Sequence, residues 1–96
     1  MQFSWDENKN KKNKQKHKIS FELTKQVFND PHLLSWVDSK SQKEERWIGL
    51  GRIDSLVVIV AVHTFRRHNN EQETNRIISA RKATKKEYET YFKYRK

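Results

Sequence analysis

The feature that most constrains how this chain folds is an uninterrupted apolar run, Leu56-Val57-Val58-Ile59-Val60-Ala61-Val62. A strand with one solvent-facing side alternates polar and apolar residues, and this run does not. The pattern therefore predicts a strand that is covered on both faces and lies in the centre of its sheet, with a helix over one face. Because seven residues are too few to cross a bilayer, the run does not indicate a membrane span.

Other segments with strand character surround this run. The predicted strands cover residues 2–5, 33–38, 46–53, 56–65 and 75–81. The last four are joined by polar loops at 39–45 and 67–74 and by a tight connection around Asp54-Ser55. Short links favour antiparallel neighbours. We therefore expect an antiparallel sheet of about four to five strands.

Two helices are predicted near the N-terminus. Asp6 can cap a helix over 8–16, which is rich in lysine and has almost no apolar face. Ser20 can cap a second helix, which Asn29-Asp30-Pro31 ends. The apolar stripe of this second helix consists of Ile19, Leu23, Val27 and Phe28.

A third helix is predicted at the C-terminus. Thr84-Lys85-Lys86-Glu87 fits the S/T-x-x-E capping box. The residues that recur behind it at i, i+3, i+4 and i+7 are Tyr88, Tyr91, Phe92 and Arg95. Together these elements predict an α+β fold in which residues 1–96 form a single domain.

The net charge of +9 is concentrated at the two ends of the sequence. Residues 1–18 and residues 81–96 hold the whole imbalance, whereas residues 19–80 carry equal numbers of acidic and basic side chains. If the two ends meet in space they form one basic surface, which favours a polyanionic partner such as nucleic acid. The alternative is two solvated basic tails.

Composition excludes several classes of function. With no cysteine there is neither a disulfide framework nor a cysteine nucleophile, and two glycines are too few for a glycine-rich phosphate loop. The four histidines form no i, i+4 ligand pair, so we expect neither a metal site nor a cofactor. The N-terminus has no apolar signal segment, and we expect a soluble protein of the cytoplasm with no membrane partner.

A set of motifs in a fixed order is similar to a known family. The motifs are Phe3-Ser4-Trp5-Asp6-Glu7-Asn8-Lys9, Asn13, Lys16-His17, Ser20-Phe21-Glu22, Asp30-Pro31, Val62-His63-Thr64-Phe65-Arg66 and Arg76-Ile77-Ile78-Ser79-Ala80-Arg81-Lys82-Ala83. Over nearly the whole chain they resemble the BrnT family of bacterial toxins. At Lys18 the family commonly has glycine, which suits a left-handed helix end. Lys18 either adopts that geometry at a cost of roughly 1 kcal/mol or the two helices join differently.

The resemblance implies a RelE-like fold and the toxin role in a type II toxin–antitoxin pair. It implies an endoribonuclease that inhibits translation by cleaving RNA. It also implies a ribbon-helix-helix antitoxin, BrnA, whose complex with the toxin represses its own operon. We therefore expect a heterotetramer in which the antitoxin, and not the toxin, contacts operator DNA.

Arg66 and Arg81 are the expected catalytic arginines, because each follows an apolar stretch at the end of a predicted strand and each matches a family motif. A guanidinium can bind two phosphate oxygens at once and stabilise the charge of a phosphorane without a metal ion. Their alternative is a solvated or carboxylate-paired strand end. His63 is the third catalytic candidate, as an acid or base. By strand alternation it shares a face with Ala61 and Phe65, so it is otherwise a buried, face-filling histidine.

The expected RNA-binding residues are cationic or aromatic. They are Lys9, Lys12, Lys16, Lys82, Lys85 and Tyr91. The first three recur at i, i+3 and i+7 on one helix face, and their alternative is simple solvation. For Tyr91 the alternative is packing in the core, which is the more common place for a tyrosine at this spacing. A non-catalytic basic module that binds RNA or DNA remains the alternative to the enzyme.

Overall fold

The computed structural model describes residues 1–67 and 72–94, and in them a five-stranded sheet has the order β1-β5-β4-β3-β2. The strands are β1 Gln2–Ser4, β2 Leu34–Val37, β3 Trp47–Arg52, β4 Val58–Arg67 and β5 Glu73–Lys82. The helices are α1 Glu7–His17, α2 Phe21–Thr24 and α3 Lys85–Tyr94, with 3-10 helices at Lys25–Asn29 and Asp54–Leu56. The α+β prediction is confirmed.

The apolar run forms the central strand, as predicted, and separates two hydrophobic clusters. The back face of the sheet carries Ile59, Ala61, His63 and Phe65 of β4. There Ile59 packs with Phe21 and Val27 from the segments that follow α1. The front face carries Val58, Val60, Val62, Thr64 and Arg66. There Val58 and Val60 pack with Leu50 and Tyr91, which α3 supplies.

The sheet is mixed, so the expectation of a purely antiparallel sheet is wrong. β1 pairs with β5 in parallel, with Gln2 opposite Thr74 and Ser4 opposite Arg76. β2, β3, β4 and β5 are antiparallel neighbours, as their short links predict. The length of a link constrains only strands that are consecutive in sequence. β1 and β5 are the first and last strands, so no link length indicates the direction in which they pair.

The second helix is shorter than predicted. The Ser20 hydroxyl caps it by accepting from the Leu23 amide at 3.1 Å, but α-helix ends at Thr24 and the chain continues as a 3-10 helix. The Thr24 hydroxyl donates to the Ser20 carbonyl at 2.8 Å. Side-chain back-bonding of this kind bends a helix.

Two positions carry positive φ angles among the described residues. Lys18 has φ 63° and closes α1 in the left-handed conformation, so it adopts the geometry that glycine would suit. Leu56 has φ 71° and is 59% exposed in the 3-10 helix before β4. The prediction that Leu56 starts the buried strand is therefore wrong, because the Ile53 amide donates to the Val57 carbonyl and closes a turn there.

α1 continues the sheet edge where β1 stops. Asn13 is buried, and its Nδ2 donates to the Ala80 carbonyl at 2.8 Å while its Oδ1 accepts from the Ala80 amide at 3.2 Å. The same Nδ2 donates to the Ile19 carbonyl at 2.9 Å. One side chain therefore replaces a strand partner on the outer edge of β5 and fixes α1 beside it.

α3 begins as predicted. The Thr84 amide donates to Glu87 Oε1 at 2.8 Å, and the Glu87 amide donates to the Thr84 hydroxyl at 3.2 Å, which completes the capping box. Arg95, the last member of the expected stripe, lies outside the described residues. None of the described helices is long and apolar enough to span a bilayer.

Candidate functional site

Arg66 projects from the front face near the end of β4. Its Nη2 lies 3.2 Å from Glu44 Oε1, and both side chains are nearly half exposed. The loop between β2 and β3 forms a groove of about 640 Å³ around this pair, the Arg66 groove. The groove is lined by Lys40, Gln42, Lys43, Glu44, Arg46 and Arg66. One carboxylate therefore lies among four cations.

Arg81 projects from the same face at the other end of the sheet, where it lies opposite Val60. Its Nη1 and Nη2 donate to the two carboxylate oxygens of Glu87 at 2.7 and 3.0 Å, and Nη1 also donates to the Lys82 carbonyl. The bonds to Glu87 raise the pKa of Arg81 further above its usual value. Within residues 1–67 and 72–94, the Nε–H and one Nη2–H of Arg81 have no hydrogen-bond partner.

The structure brings the two arginines to one face but not into one pocket. Arg81 pairs across from Val60, which is six residues from Arg66 along β4. At the rise of a strand this separates their backbones by about 20 Å. A single phosphate therefore cannot contact both guanidinium groups.

His63 lies on the back face, so the alternation prediction is confirmed. Its ring is 4.7 Å from that of Phe28 and 5.3 Å from that of Phe65, and the residue is 2% exposed. Burial lowers the pKa of His63, and the hydrogen bond with Asn75 at 2.9 Å opposes this shift only in part. The sheet separates this neutral ring from Arg66 and Arg81. It therefore does not reach a phosphate that these arginines hold.

Tyr91, expected at the RNA surface, is fully buried instead. Its hydroxyl donates to Asp30 Oδ2, which also accepts from the Arg52 amide. Burial would raise the pKa of Asp30, but these bonds and one from the His32 amide lower it overall. Tyr91 thus joins α3 to the end of β3. Its ring packs beneath α3 because the aromatic stripe of that helix faces Leu50 and Val60.

The expected lysine stripe, Lys9, Lys12 and Lys16, is exposed along α1. The buried side of α1 is formed by Asn10 and Asn13, and a second lysine stripe, Lys11, Lys14 and Lys18, lies on the other flank. Lys14 lowers the pKa of Glu22 of α2, after the larger effect of the Asn10 hydrogen bond, so the second stripe lies toward the back face. Helical geometry therefore turns the Lys9, Lys12 and Lys16 stripe toward the front.

The two remaining predicted lysines flank the start of α3. Lys85 is the first residue of that helix and is exposed. Lys82 is also exposed, and its pairing opposite Ile59 turns it to the back face. Lys85, at the start of α3, is therefore on the same side of the sheet as the Arg81–Glu87 pair, whereas Lys82 is on the other side.

Sequence reasoning missed two residues of the front face. Arg76 lies opposite Thr64, one diagonal position from Arg66. Glu44 could have been found from the pairing register, because continuing β3 backward from the Trp47–His63 pair brings residue 44 beside Arg66. In the described part of the chain no three His, Cys, Asp or Glu side chains gather where they could hold a metal ion.

Comparison with known families gives these cationic positions a context. The family model for the ribonuclease toxin BrnT of type II toxin–antitoxin systems matches residues 5–87. The molecule is thus a ribonuclease toxin of the type II toxin–antitoxin class. Within that class, the chain belongs to the BrnT family. The family match favours the enzyme over a non-catalytic binding module, and it implies RNA as the substrate and an antitoxin as a protein partner.

A solved structure has the same fold. The crystal structure of the Brucella abortus ribonuclease toxin BrnT is similar with a TM-score of 0.59 and 23% sequence identity, covering 88% of this chain and 99% of that chain. At this identity the likeness supports the fold alone. No match was found among curated proteins.

Proposed function

We propose that this ribonuclease toxin cleaves RNA without a metal ion, in the cytoplasm, and thereby inhibits translation. The observation that carries the proposal is the Arg66 groove, in which a single carboxylate lies 3.2 Å from a guanidinium and among further cations. The groove offers the two kinds of group that RNA cleavage needs, one that accepts a proton and one that stabilises phosphorane charge.

In this proposal Glu44 accepts the proton of a ribose 2′-hydroxyl as that oxygen attacks the neighbouring phosphorus. Arg66 binds the non-bridging oxygens, and its fixed charge stabilises the phosphorane. The bond to the 5′-oxygen breaks, that oxygen takes a proton from water, and the hydroxide left behind takes the proton from Glu44, which regenerates the carboxylate. The products are a 2′,3′-cyclic phosphate and a 5′-hydroxyl, so the chemistry of the new ends reports the mechanism.

Arg81 and the basic helices hold the RNA on either side of the reacting phosphate. The free Nε–H of Arg81, Lys85 at the start of α3 and the Lys9, Lys12 and Lys16 stripe of α1 lie along or beside the front face. Arg76 lies between the two ends of that face. A strand of RNA that runs from Arg66 to Arg81 meets this series of cations, and its binding is expected to weaken steeply as salt rises.

The test is a cleavage assay with purified protein and labelled RNA in excess EDTA. We expect cleavage to persist in EDTA, and Glu44→Gln to slow it about 100-fold, within the range for loss of a general base. Glu45→Gln is the matched control, since Glu45 is the exposed neighbouring carboxylate whose backbone carbonyl, not its side chain, accepts from Thr64. Restoration of an EDTA-inactivated sample by a divalent metal, or equal rates for the two variants, would contradict the proposal.

The antitoxin is proposed to be BrnA-like and to cover part of the front face in a heterotetramer. A carboxylate-rich segment would neutralise the cations around Arg66 and Arg81, and a dimeric antitoxin would join two toxin copies. Operator DNA is then bound through the antitoxin. Co-expression with the adjacent gene product, followed by sizing, a nuclease assay and cell-free translation, tests this. A complex that cuts RNA as fast as the free toxin would contradict it.

A further inference from the structure

His63 has one buried nitrogen that no group in the described part of the chain satisfies. Nδ1 bonds Asn75 Oδ1 at 2.9 Å, whereas Nε2 has no hydrogen-bond partner. Asn75 Nδ2 contacts the Met1 sulfur at 3.6 Å, which leaves Oδ1 as the acceptor and places the imidazole proton on Nδ1. Nε2 is therefore a bare acceptor, and leaving it unpaired costs free energy.

A cavity of about 300 Å³ on the back face is lined in part by His63 and Asn75, while Nε2 itself is covered in the free protein. A single water occupies about 30 Å³ of liquid, so one ordered water does not fill it. Phe3, Phe28 and Phe65 form aromatic walls, and Asn29 and Ser35 add polar groups. Gly49 lies beside Nε2 without lining the cavity, because a Cβ there would lie 3.5 Å from that nitrogen.

We propose that this cavity is a nucleobase subsite, in which one base of the RNA stacks among the phenylalanines and, when the rings that cover His63 move apart, donates an N–H to Nε2. A nucleobase suits this cavity because it has a flat ring that can stack on the phenylalanines and an N–H on its edge that can donate to His63. Proteins commonly bind unstacked RNA bases through such stacking and edge contacts. The proposal rests on the proposed function only in taking the RNA substrate as the source of the base.

The position of the cavity fits a strand that also reaches the Arg66 groove. Phe65 and Arg66 are consecutive, so the two sites lie on opposite faces at the same end of β4. Cations surround the aromatic walls as well. The Lys25 ammonium lies 6.0 Å from the rings of both Phe3 and Trp5, and Arg67 extends exposed on the back face two residues beyond Phe65. These charges can bind the phosphates that flank the base.

Gly49→Ala is the sharpest variant with which to test the subsite. The added methyl lies at ordinary contact distance, 3.5 Å from both His63 Nε2 and Leu33 Cδ1, and Gly49 has no positive φ, so the variant is expected to fold. It nevertheless places a methyl against Nε2, where it reduces the room for a donor. Ala at Gly51 is unsuitable, because its Cβ would lie 2.8 Å from Val27.

The experiment is heteronuclear NMR of isotope-labelled protein titrated with each of the four nucleoside monophosphates, with ribose 5-phosphate as the base-free probe. We expect at least one nucleotide to shift the His63 ring and Asn75 side-chain resonances, ribose 5-phosphate to leave them unchanged, and Gly49→Ala to weaken nucleotide binding about tenfold. In RNA cleavage, the same variant is expected to lose the parent's base preference.

The outcomes separate this inference from the proposed function. If RNA is cut while no nucleotide moves the His63 signals and Gly49→Ala cuts at the same positions, the subsite is wrong and the nuclease proposal stands. If nucleotides bind but RNA is not cut, the nuclease proposal fails and the subsite stands. If ribose 5-phosphate shifts His63 as much as the nucleotides do, the base is not what the cavity binds and the inference is overturned.

Discussion

Arg81 and Glu87 form a two-pronged ion pair across the junction of β5 and α3, with Nη1–Oε1 and Nη2–Oε2 distances of 2.7 and 3.0 Å. Glu87 also closes the capping box of α3 through the Thr84 amide. The carboxylate thus fixes the start of the helix and the orientation of the arginine together. Its hydrogen bonds, above all those from Arg81, lower the pKa of Glu87 from 4.5 to about 2.

Because of this pair, the free energy of unfolding should fall as the pH is lowered, and Glu87→Gln should remove this pH dependence. A depressed carboxyl pKa contributes stability that is complete above the unfolded-state value and is lost as pH falls toward the folded-state value. The parent should therefore exceed the variant by about 1–2 kcal/mol in unfolding free energy near neutral pH, after discount for partial exposure. The difference should vanish between pH 4.5 and about 2, measured by urea unfolding at each pH.

Glu89→Gln is the matched control, because Glu89 is an exposed carboxylate of the same helix. Gln at position 87 can still accept from the Thr84 amide, so the capping box survives the substitution. An equal and pH-independent loss in both variants would mean that the Arg81–Glu87 pair does not carry the effect.

Local signals predicted where the helices start and that the central strand is covered on both faces, although the second helix ends earlier and the strand begins later than expected. Asp6, Ser20 and the Thr84–Glu87 box all cap as their sequence positions indicate, because a cap needs only residues within one turn. The uninterrupted run around Ile59 and Ala61 marks a strand covered on both faces for an equally local reason, since the burial of each residue is readable from its side chain.

Contacts and distances between residues that are far apart in the sequence could not be predicted. The parallel pairing of Phe3 with Asn75 depends on where the finished sheet leaves an open edge, and no local pattern reports that edge. Tyr91 has the spacing of a helix stripe, which does not show whether the stripe meets RNA or the core. Arg66 and Arg81 were correctly placed at strand ends, but their separation along β4 follows from a register with a bulge between Val62 and His63.

Asn13→Ala should destabilise the protein by about 2–3 kcal/mol. The substitution removes a buried amide that satisfies the amide and carbonyl of Ala80 and the carbonyl of Ile19. Denaturant unfolding measures the loss, and hydrogen exchange at the Ala80 amide should rise locally. Asn8→Ala is the control, since Asn8 is an exposed residue of the same helix. Similar losses in the two variants would refute the role assigned to Asn13.

Arg66→Lys should reduce cleavage more than it reduces RNA binding. Lysine keeps the charge but not the planar fork that binds two phosphate oxygens, so we expect a rate loss of about tenfold to 100-fold with less than threefold weaker binding. Arg67→Lys is a close control, because Arg67 faces the opposite side of β4, pairs with Glu73 and, as lysine, keeps the charge that attracts flanking phosphates. If both variants cleave labelled RNA at the parent rate, Arg66 does not act on the phosphate.

The front-facing lysines of α1 should contribute to RNA affinity by binding phosphates, whereas those on the other flank should not. We compare Lys12→Ala/Lys16→Ala with Lys11→Ala/Lys14→Ala, two double variants that remove the same charge from the same helix. Each lysine that neutralises a phosphate of a single strand adds about 0.7 to the slope of log affinity against log salt. The first pair of substitutions should therefore flatten the slope by about 1.4, whereas the second should weaken binding only slightly through the general field. Fluorescence anisotropy with labelled RNA across a salt series measures both slopes. Equal slopes for the two double variants would show that α1 attracts RNA only as a diffuse charge and that the front face does not extend onto this helix.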